Sequence, residues 1–144
     1  MQTRTGALTL FGLLAIIAFS ELIFSNLGTL NGDLAGAASM LGLTLQQERT
    51  RLLILIALDA VAGVGALLAI ASLLARSTLT AYGASLCATG FLAYGVYQVF
   101  AALTQLGETV RLPVILAGML YALLGVAAWI TGRRATATQQ AHGR

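Results

Sequence analysis

Four long apolar runs constrain what this chain can fold into. They are Ala7–Gly28, Leu52–Leu74, Leu79–Leu106 and Leu112–Thr131. Each is near or above the roughly 20 residues that an α-helix needs to cross a bilayer core of about 30 Å. Only 9% of the residues are charged and the mean hydropathy is +0.89, whereas a soluble domain carries about 25% charged residues. Because the runs lack the alternation of membrane β-strands, the sequence predicts an all-α transmembrane four-helix bundle.

The connections between the runs predict one domain. A four-helix transmembrane domain covers residues 1–134, and a polar, flexible tail covers residues 135–144. The longest connector, Thr29–Arg51, joins the first two runs. Its apolar part, Leu34–Leu45, is too short to span a bilayer. We expect this part to be either a helical flap against the bundle or membrane surface, or a simple loop.

Arginines predict the orientation, because the chain has no lysine. Four spans place both termini on one side of the membrane, and that side carries basic residues without acids: Arg4, Arg76, Arg133, Arg134 and Arg144. The other side has three arginines, Arg49, Arg51 and Arg111, balanced by Asp33, Glu48 and Glu108. The positive-inside rule therefore places both termini in the cytoplasm. We expect a multi-pass protein of the cell inner (plasma) membrane. No basic run indicates a nucleic-acid partner.

Two carboxylates, Glu21 and Asp59, lie inside predicted membrane helices. An acid in hydrocarbon costs several kcal/mol unless it is neutral, paired or turned toward a polar cavity, so such a residue marks a candidate functional site. At 1.5 Å per residue, each lies about 10 Å below the outer end of its predicted helix. The two acids are therefore expected in one layer in the outer half of the bundle.

The third and fourth runs bring further polar groups to the same layer. Tyr94, Tyr97 and Gln98 have the spacing of one helix face. A buried tyrosine hydroxyl needs a hydrogen-bond partner, which a carboxylate supplies. The candidate ligand- or proton-binding residues are thus Asp59, Glu21, Tyr94, Tyr97, Gln98 and Tyr121. Two alternatives stay open: a structural network of cross-helix hydrogen bonds, and groups that face lipid or a protein partner.

The residues absent from the runs exclude several kinds of site. The only histidine, His142, is in the tail, and the only cysteine is Cys87. The spans therefore offer no histidine pair for haem or copper, no thiol–disulfide relay and no Ser-His-Asp set. No catalytic residue, metal site or cofactor is predicted, although contact with a quinone or lipid stays open.

Small residues in the second run predict close helix packing. The strip consists of Ala62, Gly63, Gly65, Ala66 and Ala69. Small side chains let membrane helices approach each other closely. The strip therefore favours packing within the bundle, with contact between two copies of the chain as the alternative.

Three segments carry a resemblance to a known family. The first run ends in Phe24-Ser25-Asn26-Leu27-Gly28, the connector contains Leu41-Gly42-Leu43, and the second run holds Leu58-Asp59-Ala60-Val61-Ala62-Gly63. In this layout the chain resembles the DoxX-like group of small four-helix bacterial membrane proteins over about residues 7–134. It has Asp59 and Asn26 where that group's pattern has a glutamate and a lysine. The resemblance implies an accessory component beside a redox or sulfur-oxidising system.

A second resemblance favours transport. Glu21 in the first helix and Gly107-Glu108 before Leu112-Pro113 look similar to the small multidrug resistance group. This chain has a longer first connector and no tryptophan in its third run.

The leading hypothesis is thus a non-enzymatic accessory subunit or small-ligand-binding module. Its partners would be the bilayer and either a membrane protein or a second copy. The alternatives are a proton-coupled small-molecule transporter and a purely structural assembly protein.

Overall fold

Every regular secondary-structure element in the described part of the chain is a helix. The computed structural model describes residues 2–142, except for the side chains at positions 2, 3, 139 and 142. In chain order the elements are α1 (Gln2–Ser20), a π-helical segment (Glu21–Leu27), α2 (Gly28–Asn31), α3 (Leu34–Leu41), α4 (Leu45–Leu74), α5 (Thr80–Thr104) and α6 (Glu108–His142). The prediction of an all-α bundle is confirmed.

Four stretches are long and apolar enough to cross a membrane, which makes this a multi-pass membrane protein. We name them span 1 (Arg4–Asn31), span 2 (Leu45–Leu74), span 3 (Thr80–Thr104) and span 4 (Glu108–Thr138). Span 1 is built from α1, the π segment and α2 in succession. The end of the bundle near both termini is called the termini end, and the opposite end is called the connector end.

Span 2 begins about two turns before the predicted Leu52. Thr44 and Gln47 form a capping box: the Gln47 N–H donates to Thr44 Oγ1 at 3.2 Å, and the Thr44 N–H donates to Gln47 Oε1 at 2.9 Å. This box satisfies backbone donors at the helix start. The polar residues up to Arg51, predicted to lie in the connector, are therefore helical, and the predicted boundary is wrong.

Spans 2 and 3 form the middle of the bundle. Span 3 packs against span 2 and span 4, while span 1 packs mainly against span 2. The small-residue strip of span 2 is buried inside the bundle. A Cβ at Gly65 would collide with the backbone of Cys87, and a Cβ at Gly90 would lie 2.6 Å from Ala62 N. The prediction that the strip serves packing within the bundle is confirmed.

The largest apolar cluster lies toward the termini end. Its biggest members, Phe11, Leu14, Leu73 and Phe91, are almost completely buried. At the same end, Arg4 Nη2 donates to the Leu74 carbonyl at 3.2 Å, so the start of span 1 meets the last turn of span 2. A cation is favourable there because the carbonyl end of a helix carries partial negative charge.

The connector is a helical flap, which decides between the two predicted alternatives. Asp33 Oδ1 accepts from the Gly36 N–H at 2.8 Å and caps α3. Gly42 ends the helix with a φ of 71°, a left-handed conformation that glycine adopts readily. Leu43 then packs with Ala102 and Leu106 at the connector end of spans 3 and 4.

Span 4 continues into the tail. Helix α6 extends to His142, so the domain boundary predicted at residue 134 does not coincide with the end of a helix. The flexibility of the tail stays a prediction. Residues 143–144 of that tail lie outside the described range.

Candidate functional site

Asp59 is buried and has one neutral hydrogen-bond partner. Its residue surface is 1% exposed, and Asn26 Nδ2 donates to Asp59 Oδ2 at 2.7 Å. Asn26 is itself 3% exposed. The contact joins span 1 to span 2: Asp59 lies at mid-length of span 2, whereas Asn26 lies five residues before the end of span 1.

The π segment explains how Asn26 and Glu21 come to face the interior together. Residues five apart lie roughly 140° apart around an α-helix. In a π-helix, whose hydrogen bonds run from i to i+5, such residues lie nearly above one another. Because Glu21–Leu27 has this winding, Glu21 and Asn26 share one side of span 1. An uninterrupted α-helix would turn one of them away.

Glu21 and two tyrosines lie beside Asp59. The Glu21 carboxylate interacts electrostatically with Asp59 and with the hydroxyl of Tyr121. The Tyr121 ring stacks on Tyr94, with centroids 4.4 Å apart and planes 25° apart, and also on Phe91 at 5.8 Å. All four spans thus contribute a side chain to one cluster, as the sequence predicts.

The cluster lies deeper than predicted. Asp59 is about 21 Å from the first residue of α4 at 1.5 Å per residue, rather than about 10 Å. The difference arises because span 2 starts at Leu45 and not at Leu52. Along span 1, Glu21 lies ten residues, or about 15 Å, from the connector end at Asn31. The placement of the site in the outer half of the bundle stays a prediction.

A buried ion pair extends the polar groups toward the connector end. Glu48 is 0% exposed and accepts two hydrogen bonds from Arg51: Nε to Oε2 at 2.7 Å and Nη2 to Oε1 at 2.8 Å. The Arg51 side chain is 11% exposed. Such a two-point contact is the strong form of an arginine–carboxylate pair. The apolar runs do not predict this pair, because both residues precede Leu52 and lie in the predicted connector.

The remaining predicted residues link this ion pair to Asp59. Arg51 Nη1 donates to Gln98 Oε1 at 3.3 Å, and Gln98 Nε2 donates to the Tyr94 hydroxyl at 3.5 Å. Tyr94 in turn interacts with Asn26. Tyr97 interacts electrostatically with Arg51 and Glu48.

We call the resulting chain of contacts the polar column. Its members are Glu48, Arg51, Tyr97, Gln98, Tyr94, Asn26, Asp59, Glu21 and Tyr121. All six predicted site residues belong to it.

The charges in the polar column do not balance. Among residues 2–142, the ion pair between Arg51 and Glu48 is the only salt bridge. Asp59 and Glu21 are therefore two carboxylates without a cationic partner in the described part of the chain. The polar column holds three acids and one base, which is an unfavourable arrangement in a low-dielectric interior unless positive charge is supplied.

Three residues of the polar column were not predicted: Asn26, Glu48 and Arg51. The sequence holds a signal for two of them, because Thr44 followed three residues later by Gln47 is a capping-box pattern. A helix starting there places Glu48 and Arg51 at i and i+3 on one face. Asn26 depends on the π winding, for which the sequence shows no signal that we recognise.

Neither a metal-binding cluster nor a similar known protein identifies a function for this site. No group of three or more His, Cys, Asp or Glu side chains in the described part of the chain is placed to hold a metal ion. The sequence matches no protein-family model, and neither a curated protein nor a solved structure is similar to it.

Proposed function

We propose that this chain is a non-enzymatic membrane protein whose polar column binds a proton or a small cationic ligand at Asp59 and Glu21. It would act as a ligand-binding module or an accessory subunit of a membrane complex. The observation that carries the proposal is that, among the residues the structure describes, Asp59 and Glu21 lack a cationic partner while a third carboxylate, Glu48, has one.

The energetics favour an added positive charge. Placing an ionised carboxylate in the protein interior costs several kcal/mol even after relaxation. If Asp59 is charged, the hydrogen bond from Asn26 stabilises it by about 1.5–3 kcal/mol. This is less than the cost of burying two carboxylates, and a neutral amide adds no positive charge. A proton or an organic cation would do so. The stacked rings of Tyr94 and Tyr121 would also attract a cation through their faces.

The shape of span 1 supports a functional site over a purely structural network. π-helical turns occur frequently at functional sites, and this one holds both Glu21 and Asn26. Span 1 contacts span 4 mainly through α1, whereas the π segment packs against span 2. Glu21 and Tyr121 are only partly buried. A ligand would therefore approach from the side between spans 1 and 4.

The transporter alternative is favoured by one specific observation. Glu21 and Asp59 interact with each other, so a proton on one carboxylate affects how strongly the other holds a cation. Such coupling is what exchange of a proton for a substrate requires. The membrane glutamate in the first span is also the feature shared with the small multidrug resistance group.

We also propose an accessory role, a protein partner and an orientation for this chain. Asn26 and Asp59, where the chain departs from the DoxX-like pattern, are hydrogen-bonded partners. The two positions thus remain paired where the pattern has a glutamate and a lysine, and we propose an accessory role of that type, with a membrane-protein partner or a second copy. The arginines of the termini end support placing both termini in the cytoplasm of a bacterial cell.

Binding of tetraphenylphosphonium, an aromatic organic cation, tests the proposal. Equilibrium dialysis of the purified protein in detergent should show saturable binding that weakens at least about tenfold in Asp59→Asn and in Glu21→Gln. Glu108→Gln is the matched control, because Glu108 is exposed at the connector end, and its affinity should be unchanged. Equal affinity in all four proteins would contradict the assigned site.

Two further measurements separate the alternatives. A transporter should lose uptake into proteoliposomes in Asp59→Asn while the variant still inserts. An accessory subunit should co-purify with a larger complex under mild detergent. A purely structural protein should lose stability in both neutral variants and show no saturable binding in any form.

A further inference from the structure

A separate polar groove lies at the termini end, far from the polar column. It runs between the first turns of α5 and the last turns of α6 and encloses about 360 Å³. Its lining includes Ala81, Ser85, Trp129, Arg133, Thr136 and Gln140. We propose that this groove binds the phosphate-bearing headgroup of an anionic phospholipid.

The positive charge at the termini end favours an anionic ligand. All five acidic residues of the chain lie in the spans or at the connector end, whereas Arg4, Arg76, Arg133 and Arg134 lie at the termini end. No aspartate or glutamate side chain lies at that end to repel a negative charge. A basic pocket between membrane helices is a recurrent form of site for an anionic headgroup.

Arg133 is positioned to make the contact. Its guanidinium carbon lies 4.6 Å from the centre of the Trp129 ring, an arrangement that holds the cation against the groove wall. Among the described residues Arg133 has no ion pair. A guanidinium stacked in this way keeps its N–H edges free, and those edges match the geometry of phosphate oxygens.

The rest of the groove offers neutral hydrogen-bonding groups and room. Ser85 and Gln140 face it from opposite helices. The Thr136 hydroxyl already donates to the Gly132 carbonyl at 2.9 Å, so Ser85 and Gln140 are the available donors. Ala81 lies in the first turn of α5, a helix start without a side-chain cap, which adds partial positive charge.

The surroundings favour a lipid over a free anion. Trp129 is 46% exposed, and tryptophans collect at the level of lipid headgroups. On the same helix, Val126 and Ile130 are exposed apolar side chains within one turn of Trp129. A headgroup in the groove would thus leave its acyl chains beside an apolar surface.

Thermal unfolding of the purified full chain in dodecyl maltoside tests the assignment. Dihexanoyl phosphatidylglycerol should raise the midpoint, whereas dihexanoyl phosphatidylcholine and inorganic phosphate should raise it far less. In Arg133→Gln the half-saturating lipid concentration should rise about tenfold. Arg134→Gln is the matched control, because this neighbouring arginine carries the same charge and does not line the groove.

Four outcomes would overturn the proposal. They are no shift with the anionic lipid, an equal shift with phosphatidylcholine, an equal shift with phosphate, and an equal loss in Arg134→Gln. Equal effects of phosphate would indicate a free-anion site, and equal loss in the control would indicate diffuse attraction. Should Arg133→Gln fail to fold, Ser85→Leu fills the groove instead and should give the same weakening. Because Glu21 and Asp59 are untouched, this result is independent of the polar column.

Discussion

Glu48 and Asp59 are two buried carboxylates on the same helix, about three turns apart, and they differ in what surrounds them. Glu48 accepts two short hydrogen bonds from Arg51, whereas Asp59 accepts one from the neutral amide of Asn26. The two residues are almost equally buried. Burial alone therefore does not mark a functional acid in this bundle, and the presence or absence of a compensating cation separates them.

This difference suggests different roles for the surroundings of Glu48 and of Asp59. The Glu48 region is self-contained in charge and joins span 2 to span 3 through Gln98. The Asp59 region has no ion pair among the described residues, and under the proposed function a proton or a cationic ligand supplies its positive charge. Variants of the two acids should accordingly have opposite effects on stability and on binding.

The largest effect is expected from Glu48→Gln. This change leaves Arg51 buried with its charge unpaired, and breaking a buried pair in this way costs about 3–5 kcal/mol. The free energy of unfolding in mixed micelles measures it. Removing both charges, in Glu48→Gln with Arg51→Gln, should restore part of the loss. A loss below about 1 kcal/mol in the single variant would show that the pair is not buried as described.

Asn26→Ala should be the next most damaging change. It deprives the buried Asp59 oxygen of its partner, which costs about 1–3 kcal/mol. Asn31→Ala, at an exposed position in the same span, serves as the control and should change the free energy of unfolding by less than about 0.5 kcal/mol. Equal losses in the two variants would argue against the contact between Asn26 and Asp59.

Asp59→Asn should not lower the free energy of unfolding as Glu48→Gln does. The new amide oxygen can still accept from Asn26, and a buried acid without a cationic partner is removed. The free energy of unfolding should therefore stay within about 1 kcal/mol of the original or increase. Binding of tetraphenylphosphonium should fall in the same variant. A loss as large as that in Glu48→Gln would make Asp59 a structural residue and erase the distinction between the two regions.

The smallest effect is expected at the link between the regions. Tyr94→Phe removes the hydroxyl that meets Gln98 and Asn26, at a cost of about 0.5–1.5 kcal/mol in unfolding free energy. Tyr82→Phe is the control, because the Tyr82 side chain is exposed. If both variants unfold alike, the hydroxyl of Tyr94 contributes nothing to the polar column.

The sequence predicts the helices and most of the candidate site because both depend on local regularities. Hydropathy marks four spans, and the spacing of Tyr94, Tyr97 and Gln98 places them on one face. The start of span 2 was missed because the polar capping box at Thr44 lies outside the apolar run that hydropathy detects. Glu48 and Arg51 were missed with it.

Asn26 shows a different limit of prediction. Its orientation depends on a change of helical winding within span 1. The π segment packs against span 2, and we find no local residue pattern that predicts it. The same winding brings Glu21 to the interior, so the sequence predicts Glu21 as a site residue without showing how it reaches the site.

Labelling with N,N′-dicyclohexylcarbodiimide tests the central claim most directly. This apolar reagent adds to carboxyl groups that carry a proton in apolar surroundings and not to ion-paired carboxylates. Peptide mass spectrometry of the labelled protein should find the adduct on Glu21 or Asp59 and none on Glu48. The adduct should disappear in Glu21→Gln with Asp59→Asn and decrease when tetraphenylphosphonium is present. An adduct on Glu48, or equal labelling of all three acids, would contradict the account.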